Sequence, residues 1–262
     1  MILAGVGGSP RLSSKVPEVT VYFWIVKVLA TTVGETAADL LSVRLNLGLT
    51  LTSCVMSAVF VAALVLQVRA ERYEPPLYWI TVVLISIVGT LVSDNLVDGM
   101  GISLVTTSVA FGIILAVVFA LWYRSEGTLS IHSIVTRRRE LFYWAAILFT
   151  FALGTSVGDL LAEGLDLGYG QAVLVFAAMI AAVALLYYAL GTNAVLSFWV
   201  AYILTRPLGA SVGDWLAKPV IADGLGLGTV TTSAVFLAAI CAVVAYLTVS
   251  KADRIAPAEA ES

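Results

Sequence analysis

Apolar runs dominate the chain, and polar positions recur inside them at fixed intervals. Eight runs of spanning length lie at about residues 19–42, 47–68, 77–97, 102–123, 141–162, 170–190, 194–216 and 228–249. Each reaches or approaches the ~20 residues that a helix needs to cross ~30 Å of hydrocarbon. Period-two alternation in ten-residue segments is absent, which argues against a transmembrane barrel. The pattern predicts an all-α integral membrane protein with eight transmembrane helices.

The polar intervals show that the eight helices are four copies of one unit. Four times a tryptophan is followed ten residues later by glycine and five residues after that by aspartate: Trp24–Gly34–Asp39, Trp79–Gly89–Asp94, Trp144–Gly154–Asp159 and Trp199–Gly209–Asp214. Successive tryptophans are 55, 65 and 55 residues apart, yet the internal register never slips. Each unit is two helices, the second marked by Phe60, Phe111, Phe176 or Phe236. An even number of crossings returns the chain to its starting side. The repeats are therefore expected to insert in one orientation, as parallel units with pseudo-symmetry about the membrane normal. Expected boundaries are an N-terminal cytoplasmic segment at 1–15, repeats at 16–69 and 70–124, and a basic linker at 125–140. Further repeats follow at 141–190 and 191–250, with a disordered tail at 251–262.

Composition supports the membrane class: 60% of residues are apolar and 12% charged, and the mean hydropathy is +1.01. Charge matters through its sidedness. Arg11, Lys15, Arg69, Arg72, Arg124, Arg137, Arg138, Arg139, Lys251 and Arg254 flank one side of the spans, against Arg44 and Lys218 on the other. The positive-inside rule then puts both termini in the cytoplasm of a bacterial inner membrane, with the aspartates toward the outer end. Fifteen residues of helix, about 22 Å, place Trp24, Trp79, Trp144 and Trp199 near the cytoplasmic interface, where an aromatic belt is expected. Cys54 and Cys241 stand alone and read as packing residues; His132, in the linker, reads as solvated.

Carboxylates inside such segments cost ~2.5–3.5 kcal/mol or more to insert, so a fourfold repeat of one needs a reason. Small and hydroxylated residues crowd the turn before each aspartate. They suit close helix packing or, alternatively, a polar cavity whose hydroxyls and carboxylates supply oxygen ligands. Asp39, Asp94, Asp159 and Asp214, with Glu35, are the candidate ion-binding residues.

Four tandem two-helix units with a characteristic tryptophan resemble the bacterial membrane-protein family known as a four-copy repeat of unknown function, whose members are commonly labelled uncharacterised membrane-anchored proteins. The resemblance covers residues 16–250. It implies the architecture and no activity.

Charges that break the repeat supply further candidates. Asp98 and Glu163 lie four residues after Asp94 and Asp159, a spacing that shares a helix face; Lys218 holds the same place in repeat four. Lys27 is expected either to be a mobile counter-charge or to snorkel to the interface. Arg206 is expected to pair with an acidic residue of helix 1, 3 or 5, and Pro207 with Gly209 to kink or break helix 7. The acidic excess points to transport of a cation: protons, a hard metal or an alkali ion. Histidine and thiol metal sites are disfavoured. The rival expectations are a structural or sensory protein whose aspartates clamp helices, an intramembrane enzyme, and a transporter of an organic substrate such as an amine. Expected partners are the lipid bilayer and a small inorganic cation or protons, with no nucleic acid and no cofactor.

Overall fold

The computed structural model describes residues 14–254; the rest of the expected terminal segments lies outside them. Eight α-helices run through it: α1 Val21–Asp39, α2 Leu49–Arg69, α3 Pro75–Asp94, α4 Leu104–Glu126, α5 Arg137–Asp159, α6 Tyr169–Leu190, α7 Ala194–Ala217 and α8 Thr229–Ser250. Local chemistry sets several ends. Thr20, Ser103, Thr136 and Asn193 side chains accept from free backbone N–H groups in the first turns of α1, α4, α5 and α7. Gly127 and Gly191 close α4 and α6 in the left-handed conformation. Seven helices are long and apolar enough to cross a membrane. The exception, α1, has the same build but carries Lys27 and Glu35 on its buried face.

The odd-numbered helices form a closed inner ring, α1 to α3 to α5 to α7 and back to α1. Each even-numbered helix lies outside the ring, against the inner helix of the following repeat: α2 on α3, α4 on α5, α6 on α7, α8 on α1. In the apolar spans of α3, α5 and α7, 44–56% of residues are buried, against 6–28% in α2, α4, α6 and α8. Cys54 and Cys241 lie exposed on α2 and α8 and are not packing residues as expected, because those faces point away from the ring.

The repeat glycines close the ring, and all four make the same contact. A methyl group at Gly34 would overlap Ser86 of α3; at Gly89, Phe151 of α5; at Gly154, Arg206 and Pro207 of α7; at Gly209, Thr31 of α1. In every case the residue met sits seven positions after the next repeat's tryptophan. Glycine is needed there because the side chains of the neighbouring inner helix occupy the space a Cβ would take.

Two expectations are corrected here. Trp79, Trp144 and Trp199 are buried and Trp24 is half-buried, so they form no lipid-facing belt. They join Phe23, Tyr78, Tyr143 and Tyr202 in an aromatic core at the basic end of the ring, with Phe23 and Trp79 centroids 5.7 Å apart and Tyr143 and Trp199 6.2 Å apart. Trp79 and Trp144 pack among the ring's own aromatics, while Trp199 also packs against Phe119 and Trp122 of α4. Nor is helix 7 broken, since α7 runs continuously through Pro207. The irregular turns lie elsewhere. Directly after Asp39, Asp94 and Asp159 the helices widen into π-helical turns at Leu40–Arg44, Asn95–Gly99 and Leu160–Gly164.

At the basic end the segments at 14–18 and 251–254 are joined to the bundle. Lys15 forms a buried ion pair with Glu140 (2.9 Å), whose other oxygen accepts from Gln67. The Tyr73 hydroxyl donates to Asp253 at 2.5 Å, and the Glu18 N–H to the Asp253 carbonyl. Asp253 is thus buried, in a segment expected to be a disordered tail. Burial raises both the Tyr73 phenol and the Asp253 carboxyl above their ordinary values, the first reinforced by the Asp253 charge.

Candidate functional site

Two polar layers lie inside the ring, about one helical turn apart. The deeper is built on Glu35, Thr90 and Thr155, each eleven residues after its repeat's tryptophan; Ala210 is the fourth at that level. Arg206, fully buried on α7, donates to Glu35 Oε2 at 3.0 Å, to Thr155 Oγ1 at 2.6 Å, to Thr90 Oγ1, and to the Thr31 carbonyl at 3.4 Å. Thr90 also donates to Glu35. One guanidinium thereby ties α7 to α1, α3 and α5. Its five fixed donors make such multiple contacts possible where an ammonium would not.

Lys27 lies toward the aromatic core, also fully buried. It makes no ion pair with a carboxylate, against expectation, and it does not snorkel. Its ammonium sits 4.0 Å from the Phe151 ring centroid and 4.3 Å from that of Tyr202, with no hydrogen-bond partner among the described residues. Two ring faces, each carrying negative quadrupolar charge, take the place of an anion. A tyrosine and a phenylalanine at helical spacing read as core in a sequence, so this enclosure had no distinct signal.

The outer layer holds the four aspartates. Each lies within electrostatic range of its neighbours around the ring and of Glu35 below. Asp39, Asp94 and Asp159 are half-buried and make no hydrogen bond or ion pair among the described residues. Just below them Ser93 and Ser156 share a hydrogen bond at 2.8 Å. Among the described residues no three His, Cys, Asp or Glu side chains gather closely enough to hold one metal ion. The carboxylates form a ring of charge, not a chelate.

At the rim the repeats diverge. Asp98 is exposed and unpaired, while Glu163 turns toward α6, where the Tyr169 hydroxyl donates to it. Asp98 and Glu163 are therefore not brought together into one pair with their aspartates, because the π-helical turns carry the rim positions outward. Lys218 lies 3.1 Å from Glu163 and 3.6 Å from Asp214 and donates to the Tyr169 hydroxyl at 2.7 Å. Burial works against the Lys218 charge, but Asp214, Tyr169 and Glu163 outweigh it and hold the ammonium above its ordinary value.

No curated protein and no solved structure matches the chain. Four segments, residues 22–73, 77–128, 142–192 and 197–253, do match one family, each segment containing one inner and one outer helix. On that fourfold match across most of its length, the chain belongs to the family described as Repeat of Unknown Function (DUF347).

Proposed function

We propose that this protein is a multi-pass transporter of cations in a bacterial cytoplasmic membrane. All eight helices cross, the repeats are related about the membrane normal, and the basic end with both termini faces the cytoplasm. The aspartate cup then opens outward and receives the cation. The single observation that carries this reading is the set of three unpartnered carboxylates, Asp39, Asp94 and Asp159, inside a ring of apolar helices. Groups meant only to clamp helices would be hydrogen-bonded, as Arg206 and Glu35 are one turn below. Mutual repulsion across the cup gives an entering cation a favourable term, which Lys218 at one edge supplies only in part.

The Arg206–Glu35 layer is the floor of the cup and the aromatic core closes the cytoplasmic half, so an outward-facing state is the natural reading. Transport requires Arg206 to release Glu35, which a proton on Glu35 or a cation in the cup favours by competing for the same charge. Coupling to protons follows from that competition. Spacing too wide for chelation favours a hydrated or organic cation over a tightly coordinated metal.

The test is flux into proteoliposomes, wild type against the Asp94→Asn/Asp159→Asn double variant, with a panel of inorganic ions and primary amines and a pH-sensitive dye inside. Cation-dependent flux that the double variant loses supports transport. Absence of flux in both, with the variant less stable, returns the aspartates to a structural role.

A further inference from the structure

Lys27 and Arg206 are both fully buried in the ring, and only Arg206 has a carboxylate among the described residues. The Lys27 Nζ brings three N–H donors to a place where no acceptor meets them. It stands three residues after its repeat's tryptophan. Val82, Ile147 and Tyr202 hold that place in the other repeats, so the level is otherwise apolar but for one hydroxyl. One turn toward the aspartates comes Arg206. Both cations lie over the Phe151 ring, Lys27 Nζ at 4.0 Å and Arg206 Cζ at 5.9 Å from its centroid. Glu35 is already bound by Arg206 at 3.0 Å. At this depth two cations therefore face one anion, and Lys27 carries the charge left over.

Opposed forces meet at this amine. The Phe151 and Tyr202 ring faces favour the ammonium. The missing acceptors and the guanidinium over the same ring favour the neutral form. Lysine can pass between the two, whereas arginine stays charged.

Groups able to relay a proton lie to one side only. The Tyr202 hydroxyl, on the ring that Lys27 covers, is buried without a hydrogen-bond partner among the described residues and lies within electrostatic range of Tyr143. One turn toward the basic end, the Tyr143 and Tyr78 hydroxyls share a hydrogen bond. Tyr78 meets Tyr73 edge-on, and the Tyr73 hydroxyl donates to Asp253. Each phenol both donates and accepts. On the aspartate side stands Arg206, which has no proton to give. From α8 the core receives only apolar side chains, Ile240 and Val244.

We propose that Lys27 is a proton-binding site inside the ring, exchanging its proton with the basic end through Tyr202, Tyr143 and Tyr78, and that its charge acts on the Arg206–Glu35 contact. In the exchange an N–H bond of the ammonium breaks, its electron pair stays on nitrogen, and an O–H bond forms on the first hydroxyl as that hydroxyl passes its own proton on. The proton site stands without the transport reading; its effect on coupling rests on that reading. A proton on Lys27 places a second positive charge beside Arg206, so protons and the cation in the cup are linked through one guanidinium.

The first measurement is the carbon NMR spectrum of the full chain in detergent with 13C-labelled lysine. The chain has four lysines, Lys15, Lys27, Lys218 and Lys251, and the Lys27 Cε signal is the one that Lys27→Met removes. It should shift with pH across a range in which the other three stay fixed. In proteoliposomes, the number of protons moved per cation should fall toward zero in Lys27→Met and in Lys27→Arg alike. Arginine keeps a cation over the two rings, so a structural role would survive that exchange and a proton-carrying role would not. Should Lys27→Arg fail to fold, Tyr202→Phe, which keeps the ring and removes the hydroxyl, carries the flux comparison. A Lys27 signal that keeps step with the other three overturns the assignment, as does a proton ratio retained in Lys27→Arg. A Lys27 signal that shifts apart while wild type moves no cation would remove the transport reading and leave the proton site standing.

Discussion

The two polar layers inside the ring sit on the same four helices, four residues apart, and were built to opposite rules. In the deeper layer the buried charges are paired: Glu35 meets Arg206, and Thr90, Thr155 and the Thr31 carbonyl take up further guanidinium donors. In the outer layer three of four aspartates have no partner among the described residues, and the fourth is held by a lysine at 3.6 Å. Removing one partner from a buried pair leaves an uncompensated charge, so the deeper layer is committed to its contacts. The outer layer has no such commitment, and three of its four aspartates are only half-buried. Paired charge therefore ties the helices of the deeper layer together, whereas the outer carboxylates hold no helix to another, as the proposed cation site requires.

The sharpest way to break that contrast is at Arg206. Arg206→Met strands Glu35 in the ring and should destabilise the protein by ~3–5 kcal/mol, measured by unfolding in detergent. Glu35→Gln added to it should recover much of the loss, and an unaffected single variant would mean the layer is not closed as described. Next comes the ring contact itself. Gly154→Ala drives a methyl group into Arg206 and Pro207 and should cost ~1–3 kcal/mol by overpacking. Gly158→Ala, one turn on, meets its nearest atom at 3.6 Å and should change stability by no more than about 0.5 kcal/mol, with a small gain from helix propensity.

In the outer layer the expected stability change is smaller and of opposite sense. Asp94→Asn removes a charge repelled by its neighbours, so stability should hold or rise slightly while cation-dependent flux falls. A clear loss of stability would mean that Asp94 clamps helices after all. The smallest effect belongs to the basic end. Asp253 has its carboxyl raised by burial, so the folded state favours the protonated form. Its contribution is fully present below the unfolded value near 3.8 and is lost as pH rises through the higher folded value. The stability difference between wild type and Asp253→Asn should therefore grow against wild type as pH rises from about 4. A flat difference would place Asp253 in a solvated site.

How far the site was legible depended on what kind of signal each residue left. The aspartates announced themselves because a carboxylate in an apolar run is costly wherever it occurs. Arg206 did too, as a buried arginine beside a proline. Lys27 misled: a lysine three residues past an interfacial tryptophan has the pattern of a snorkelling residue, and only its enclosure by Phe151 and Tyr202 separates the cases. The tryptophans misled for the same reason, since distance along a helix says how deep an indole lies and nothing about whether it points outward. A kink or break is expected at Pro207, yet α7 is unbroken and the irregular turns come after the aspartates, where no proline stands and Gly99 and Gly164 close two of the three.

The sequence by itself determined the unit, its fourfold repetition, the eight helices and the place of every aspartate along its helix. Those are properties along one chain, set by the 1.5 Å rise per residue and the cost of charge in hydrocarbon. Only the tertiary structure decided which helix faces which. It set the outer helices on the following repeat, each repeat glycine against its neighbour's side chain, Arg206 on Glu35 171 residues away, and Lys218 on Glu163. Such choices depend on shape matched across space between segments far apart in sequence, and periodicity within a segment carries no record of them.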